Sequence, residues 1–130
     1  MIVFTPKTAM EAAALKAANP GAAVLAGGTD LLAQWSAGAA RPESLIVVSN
    51  ISELNFIRET GGKIEIGACA AHGDIASDAR VNRYLPALAG AASSIGAPAI
   101  RNMGTIGGNI ANASPAADLP PALMIYDATV

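Results

Sequence analysis

The apolar positions of this chain come in short runs cut by glycine and proline, and the order of those runs lays out the first fifty residues. Ile2-Val3-Phe4 is an apolar run ended by Pro6, which predicts a strand. Thr8 followed three residues later by Glu11 has the form of a capping box and opens an alanine-rich helix that should stop at Asn19-Pro20-Gly21. Ala22-Ala23-Val24-Leu25-Ala26 is continuous, apolar and bounded by breakers, so it reads as a second, buried strand. Gly27-Gly28-Thr29-Asp30 follows directly, and Leu31 to Ser36 resumes a helical pattern closed by Gly38, with Trp35 expected in the core. Beyond the connection Arg41-Pro42-Glu43-Ser44, Leu45-Ile46-Val47-Val48 supplies a third buried strand. Right-handed crossovers would place the three strands in one parallel sheet.

After Asn50 the pattern changes. Phe56 to Thr60, then Gly61-Gly62, then Lys63 to Gly67 alternates with period two and predicts an antiparallel hairpin with one solvated face. A subdomain boundary therefore falls near residues 49–55, and the fold class is α+β. Ala68 to Ala71 should continue extended into a helical stretch from His72, with a further helix from Tyr84 to Ser94, whose apolar side carries Leu85 and Leu88 and which Ile95-Gly96-Ala97-Pro98 ends. Pro120-Pro121 opens a last helical turn or two through Tyr126, and Asp127-Ala128-Thr129-Val130 reads as the start of another strand, exposing an unpaired edge that favours self-association or a partner.

The segment from Arg101 to Pro121 holds three glycines and three prolines among small polar residues, too irregular for a long helix and too polar for a buried strand. It predicts a binding loop in which Gly104, Gly107 and Gly108 let backbone amides approach a ligand, with Thr105 and Asn109 at the rims. Phosphate suits such amides best; the alternative is a tight surface turn. Gly27-Gly28 is a second such pair, set between a strand and a helix, where a βα unit presents its ligand crevice. Gly27-Gly28 is neither a Walker loop, since no lysine follows it, nor a GxGxxG fingerprint. Two amide-rich loops from different subdomains can face one diphosphate. Asp30 beside a bare phosphate is unfavourable, and its other role is to complement the helix dipole.

Composition narrows the chemistry. A chain of 130 residues is the size of one ordinary domain, and with 52% hydrophobic but 4% aromatic residues its core must be built from Ala, Val, Ile and Leu. The net charge of −2, without a basic run, argues against a nucleic-acid partner. Cys69 is alone, which excludes an internal disulfide and a cysteine-only metal or iron–sulfur site within these residues. No stretch has the length of a membrane span, and the first residues lack a signal-peptide layout, so the expected location is cytoplasmic. His72, the sole histidine, has no carboxylate–nucleophile partner nearby and is expected to orient its turn. No catalytic acid or base and no metal ligand stands out.

Ala26-Gly27-Gly28-Thr29-Asp30-Leu31-Leu32 together with the run from Arg101 to Leu123 closely resembles the FAD-binding domain of the molybdopterin dehydrogenases, the medium, flavin subunit of the xanthine dehydrogenase and carbon monoxide dehydrogenase group. Ile66-Gly67-Ala68 and Ala71-His72 also look like that family. The resemblance implies a two-subdomain FAD-binding fold, with residues 1–52 as a parallel β-α-β-α-β part, residues 53–130 as an antiparallel-sheet part with helices, FAD lying between them, and the second part C-terminally incomplete. It implies that Val24, Leu25, Ala26, Gly27, Gly28, Thr29, Asp30 and Leu31 form the first flavin loop. Thr105, Ile106, Gly107, Gly108 and Asn109 form the second. Ile95 would supply an apolar wall, and Asp118 would bond FAD hydroxyls or orient the loop, unless it serves as a helix cap. The implied activity is electron transfer from the iron–sulfur clusters of one partner subunit to NAD or another acceptor, with substrate chemistry on a molybdopterin-binding subunit. A flavin-domain fragment serving only assembly, and a molybdenum-independent flavin oxidoreductase of related fold, are the alternatives.

Overall fold

The computed structural model describes all 130 residues. Its first part is a three-stranded parallel sheet of β1 (Ile2–Phe4), β2 (Ala23–Leu25) and β3 (Ser44–Val47), in the order β1-β3-β2. Ile2 lies opposite Ser44, and Ala23 opposite Leu45, so the last strand in sequence is the central one. Helix α1 (Ala9–Ala18) connects β1 to β2. Thr8 caps it, with its hydroxyl accepting from the Glu11 amide at 3.1 Å, while the Glu11 carboxylate accepts from the Lys7 amide rather than closing on Thr8. Helix α2 (Leu31–Ser36) connects β2 to β3 and ends at Gly38, whose φ of +97° lets its amide reach Trp35 O and the next amide reach Gln34 O.

A single 3₁₀ turn, Ser52–Leu54, leads into the hairpin β4 (Ile57–Thr60) and β5 (Lys63–Ile66). Gly61 and Gly62 both have positive φ, the geometry a two-residue hairpin turn requires. Ile57, Ile64 and Ile66 face the core, and Arg58 pairs with Glu65 at 2.6 Å on the wet face. Six helices follow: α3 (His72–Ser77), α4 (Ala79–Tyr84), α5 (Pro86–Ser94), α6 (Pro98–Met103), α7 (Ile106–Asn112) and α8 (Leu119–Ile125).

The core is divided. Ala22, Ile46, Val48 and Ile51 pack with Cys69 beneath the parallel sheet. Ile75, Val81, Leu88, Ala92, Ile106 and Leu119 form the larger cluster among the helices. The structure corrects several sequence expectations. Val24 is 49% exposed instead of buried, because β2 is an edge strand that turns this side chain toward a cavity. Trp35 is half-buried and belongs to neither cluster. The helix expected from Tyr84 begins at Pro86. Tyr84 instead closes α4, which Asp78 starts by accepting from the Arg80 and Val81 amides. Asp127 to Val130 is not a strand: Asp127 sits at φ +49°, its amide bonds Met124 O and the Ala128 amide bonds Leu123 O, so the segment caps α8.

The largest correction concerns the run from Arg101 to Pro121, which is mostly helical. Pro98 occupies the first turn of α6, where its missing amide costs nothing. Thr105 then caps α7 by accepting from the Gly108 amide at 3.1 Å, and Ala113, at φ +50°, ends it. Gly104, Gly107 and Gly108 all have negative φ, so none of them serves a left-handed turn, and glycine at 104 and 107 serves close packing against His72 and Ala68.

Candidate functional site

A cleft of about 430 Å³ opens where the carboxyl end of the parallel sheet faces α7. One wall is continuous chain: Val24, Leu25, Ala26, Gly27, Gly28, Thr29, Asp30 and Leu31, with Gln34 one turn into α2. The other is Thr105, Gly107, Gly108, Asn109 and Asn112, with Ala68, Cys69 and His72 at its base. A smaller cavity of about 180 Å³ adjoins it, sharing Thr29, Asp30, His72, Asn109 and Asn112 and adding Ile95, Ile100, Ser114 and Asp118. The two glycine pairs, some eighty residues apart in sequence, thus face one another. Ile106 is the exception among the expected site residues: its side chain is buried in the helical core and lines neither cavity.

The two walls differ in what their backbones offer. In the first, the amides of Gly27, Gly28, Thr29 and Asp30 donate to no group of the chain. Gly28 has a φ of +75°, the left-handed value that lets successive amides turn toward one concavity. Asp30 stands at the N-cap of α2 without bonding its amides, so the carboxylate is also unspent. In the second wall the amides of residues 106–109 are all committed. Ile106 N–H donates to Ala70 O at 3.1 Å, Gly107 N–H to Ala68 O at 2.8 Å, Gly108 N–H to the Thr105 hydroxyl, and Asn109 N–H to Thr105 O. These bonds, with His72 N–H to Gly104 O at 3.0 Å, hold residues 68–72 against residues 104–107.

The walls also touch. A Cβ on Gly27 would lie 1.7 Å from Met103 O, so the first loop rests directly on the carbonyl that ends α6. A Cβ on Gly107 would lie 2.6 Å from Ala68 O. On Gly108 it would meet only the Thr105 hydroxyl, at 3.0 Å; the rest of its surroundings are open cleft. Glycine at 108 therefore leaves a bare patch of helix against which a planar or extended ligand can lie.

Sequence reasoning passed over His72 as part of this site. The side chain is 3% exposed, it borders both cavities, and its Nδ1 has no hydrogen-bond partner. Burial pushes its pKa below the usual value, against an opposing pull from the Asp30 carboxylate. The Oδ1 of Asn109 is likewise buried and unpartnered. Asn112 and Gln34 were legible only as helix-face neighbours of Asn109 and Asp30. Asp118 occupies the N-cap position of α8 but makes no capping bond, leaving its carboxylate at the smaller cavity.

This arrangement, unspent amides facing a helix stripped of Cβ atoms across a cleft in the usual size range of ligand sites, fits a phosphate-bearing cofactor. Comparison with known proteins gives the same answer. The chain is 41% identical over 122 residues to the xanthine dehydrogenase FAD-binding subunit of Escherichia coli O157:H7, an alignment covering 93% of this chain and 42% of that protein. It is 39% identical over 131 residues to the nicotinate dehydrogenase FAD-subunit of Eubacterium barkeri, covering 98% and 44%. The fold superposes with a TM-score of 0.88 and 42% identity on carbon monoxide dehydrogenase from Hydrogenophaga pseudoflava, solved in a form lacking the Mo-pyranopterin moiety, over 92% of this chain and 42% of that one. The chain thus spans less than half the length of these relatives. The model of the FAD-binding domain in molybdopterin dehydrogenase matches residues 1–130, and the chain belongs to that family, with FAD as its cofactor.

Proposed function

We propose that this chain is the cofactor-holding part of an electron-transfer flavoprotein subunit in a molybdenum-containing oxidoreductase, with subdomains 1–52 and 53–130 gripping FAD in the cleft between them. The observation that carries the reading is the run of unspent amides from Gly27 to Asp30 opposite the bare Cα of Gly108. The first loop would hold the diphosphate, since four free donors and a left-handed Gly28 answer an anion that no Lys or Arg of the cleft answers. The second would present surface and side chains, because the amides of residues 106–109 are occupied. FAD supplies the redox chemistry; the residues of this chain bind it, orient it and keep water from it.

Relatives that carry the names of xanthine, nicotinate and carbon monoxide dehydrogenase subunits support a place in a larger complex. Electrons would arrive from an iron–sulfur subunit, originate at a molybdopterin-binding subunit, and leave to NAD or another acceptor. Purified protein titrated with FAD should acquire a bound flavin spectrum, and the released cofactor should be FAD. Tight NAD binding with no flavin affinity would remove the reading. In the complete complex, stripping FAD should stop reduction of the final acceptor while substrate still bleaches the iron–sulfur clusters. Loss of both together would place the flavin upstream and reverse the proposed direction.

A further inference from the structure

The two buried polar atoms left without partners in this structure, Nδ1 of His72 and Oδ1 of Asn109, belong to residues on the shared wall where the larger cleft narrows into the smaller cavity. Such atoms cost free energy unless a ligand satisfies them. We propose that His72 and Asn109 form a hydroxyl-binding subsite at this neck, taking a polyol segment of the bound dinucleotide. The proposal rests on the flavin reading above.

The imidazole is held rigidly enough to serve. Its backbone amide is tied to Gly104 O at 3.0 Å, and its edge lies over the bare Cα of Gly104, where a Cβ would come within 2.9 Å of Cδ2 and 3.0 Å of Nε2. Charge then selects the ligand chemistry. No Lys or Arg lines either cavity, whereas the carboxylates of Asp30 and Asp118 both do. A phosphate oxygen at the neck would face acceptors with no cation to offset them. A hydroxyl both donates and accepts. It can donate to Asn109 Oδ1, and it can pair with His72 Nδ1 in either tautomer; were the Asn109 amide turned over, the hydroxyl oxygen would accept from it instead. The first loop also lacks a cation and holds Asp30, but it offers four free amides to an anion, and so anion and polyol are sorted between the first loop and the neck.

FAD carries two polyol segments, the ribityl chain and the adenosine ribose, and ligand analogues tell them apart. Affinities of the wild-type chain would be measured for FAD, for an analogue with a plain alkyl chain in place of ribityl, and for the 2′,3′-dideoxyadenosine analogue. One analogue should bind at least about tenfold more weakly than FAD, the scale of a hydrogen bond to buried groups, and it identifies the segment. His72→Phe, which keeps a ring without polar atoms, and Asn109→Ala should each bring FAD to the affinity of that analogue while leaving the analogue's own affinity unchanged. Equal binding of all three ligands by the wild type would overturn the subsite without any variant having to fold. So would variants that weaken FAD and both analogues by the same factor. A wild-type chain with no affinity for FAD would instead fail the flavin reading on which the subsite depends.

Discussion

The two glycine pairs look alike in the sequence, and the cleft they share shows that they do opposite things. Gly27-Gly28 follows an edge strand and leaves the amides of residues 27–30 undonated. Gly107-Gly108 lies inside α7, its amides bonded to Ala68 O and to the Thr105 hydroxyl. One pair is a donor array and the other a smooth wall. The difference arises next to the glycines. Thr105 can cap and start a helix, whereas the 27–28 pair is fixed between the end of β2, tied into the sheet through Val48 N–H to Leu25 O, and the start of α2. A glycine pair in sequence therefore marks a place without Cβ atoms, and its neighbours decide whether the backbone is free to bind.

Substitutions separate these roles. Gly27→Ala should have the largest effect, because its methyl would overlap Met103 O, a backbone atom that cannot rotate away; a loss of stability on the order of 3 kcal/mol is expected in denaturant unfolding. Preserved stability would mean that the first loop does not rest on α6. Gly28→Ala should cost about 1–2 kcal/mol from its left-handed φ, the nearby Leu25 and Leu32 side chains being able to shift, and should weaken FAD as the donor array distorts. Gly108→Ala should behave in the contrary way. Its backbone is helical, so unfolding stability should change by less than about 1 kcal/mol, while FAD affinity falls because the methyl enters the cleft. If Gly28→Ala left FAD affinity intact and Gly108→Ala did the same, neither wall would be the cofactor site. Thr105→Val should cost about 1 kcal/mol by releasing the Gly108 amide, and calorimetry would read it.

The smallest effect is one of pH. Burial lowers the His72 pKa in the folded chain, so the unfolded chain takes up a proton that the folded one resists. Stability from this group is therefore fully present above the unfolded value of about 6.5 and declines as pH falls below it toward the lowered folded value. Replacing His72 with Phe should flatten that slope in melting temperatures of the cofactor-free protein. An unchanged slope would assign it to other groups.

Much of this architecture was legible from the apolar runs alone. The three parallel strands follow from continuous runs between breakers and the hairpin at Gly61-Gly62 from period-two alternation, both local patterns. What was missed depended on tertiary partners. The amides of Gly107 and Gly108 are occupied through contacts with Ala68 and Thr105 that no local pattern announces. Leu85 and Leu88 share a spacing that fits one helix, yet Leu85, the residue preceding Pro86, takes φ −130°, ψ +53° and separates α4 from α5. Asp127 to Val130 has the composition of a strand, yet Asp127 takes a left-handed φ and the amides of Asp127 and Ala128 bond back into α8. His72 carried no motif of its own; its significance comes from burial at a junction between cavities.

The strand order β1-β3-β2 carries a consequence for how the chain acquires its shape during synthesis. Neither β1 nor β2 pairs with the other; each pairs only with β3, through registers such as Ile2 with Ser44 and Ala23 with Leu45. A nascent chain that has displayed both outer strands and the helix between them still has no sheet to form, and the first ladder bond must wait until residues 44–47 have left the ribosome. Closing those long loops sets the pace, as it does wherever contacts are remote in sequence. The donor array at Gly27 to Asp30 follows closely on β2, which β3 alone ties into the sheet, so that wall of the cleft is fixed only with the insertion of one four-residue strand, and the opposite wall waits longer still, for α7.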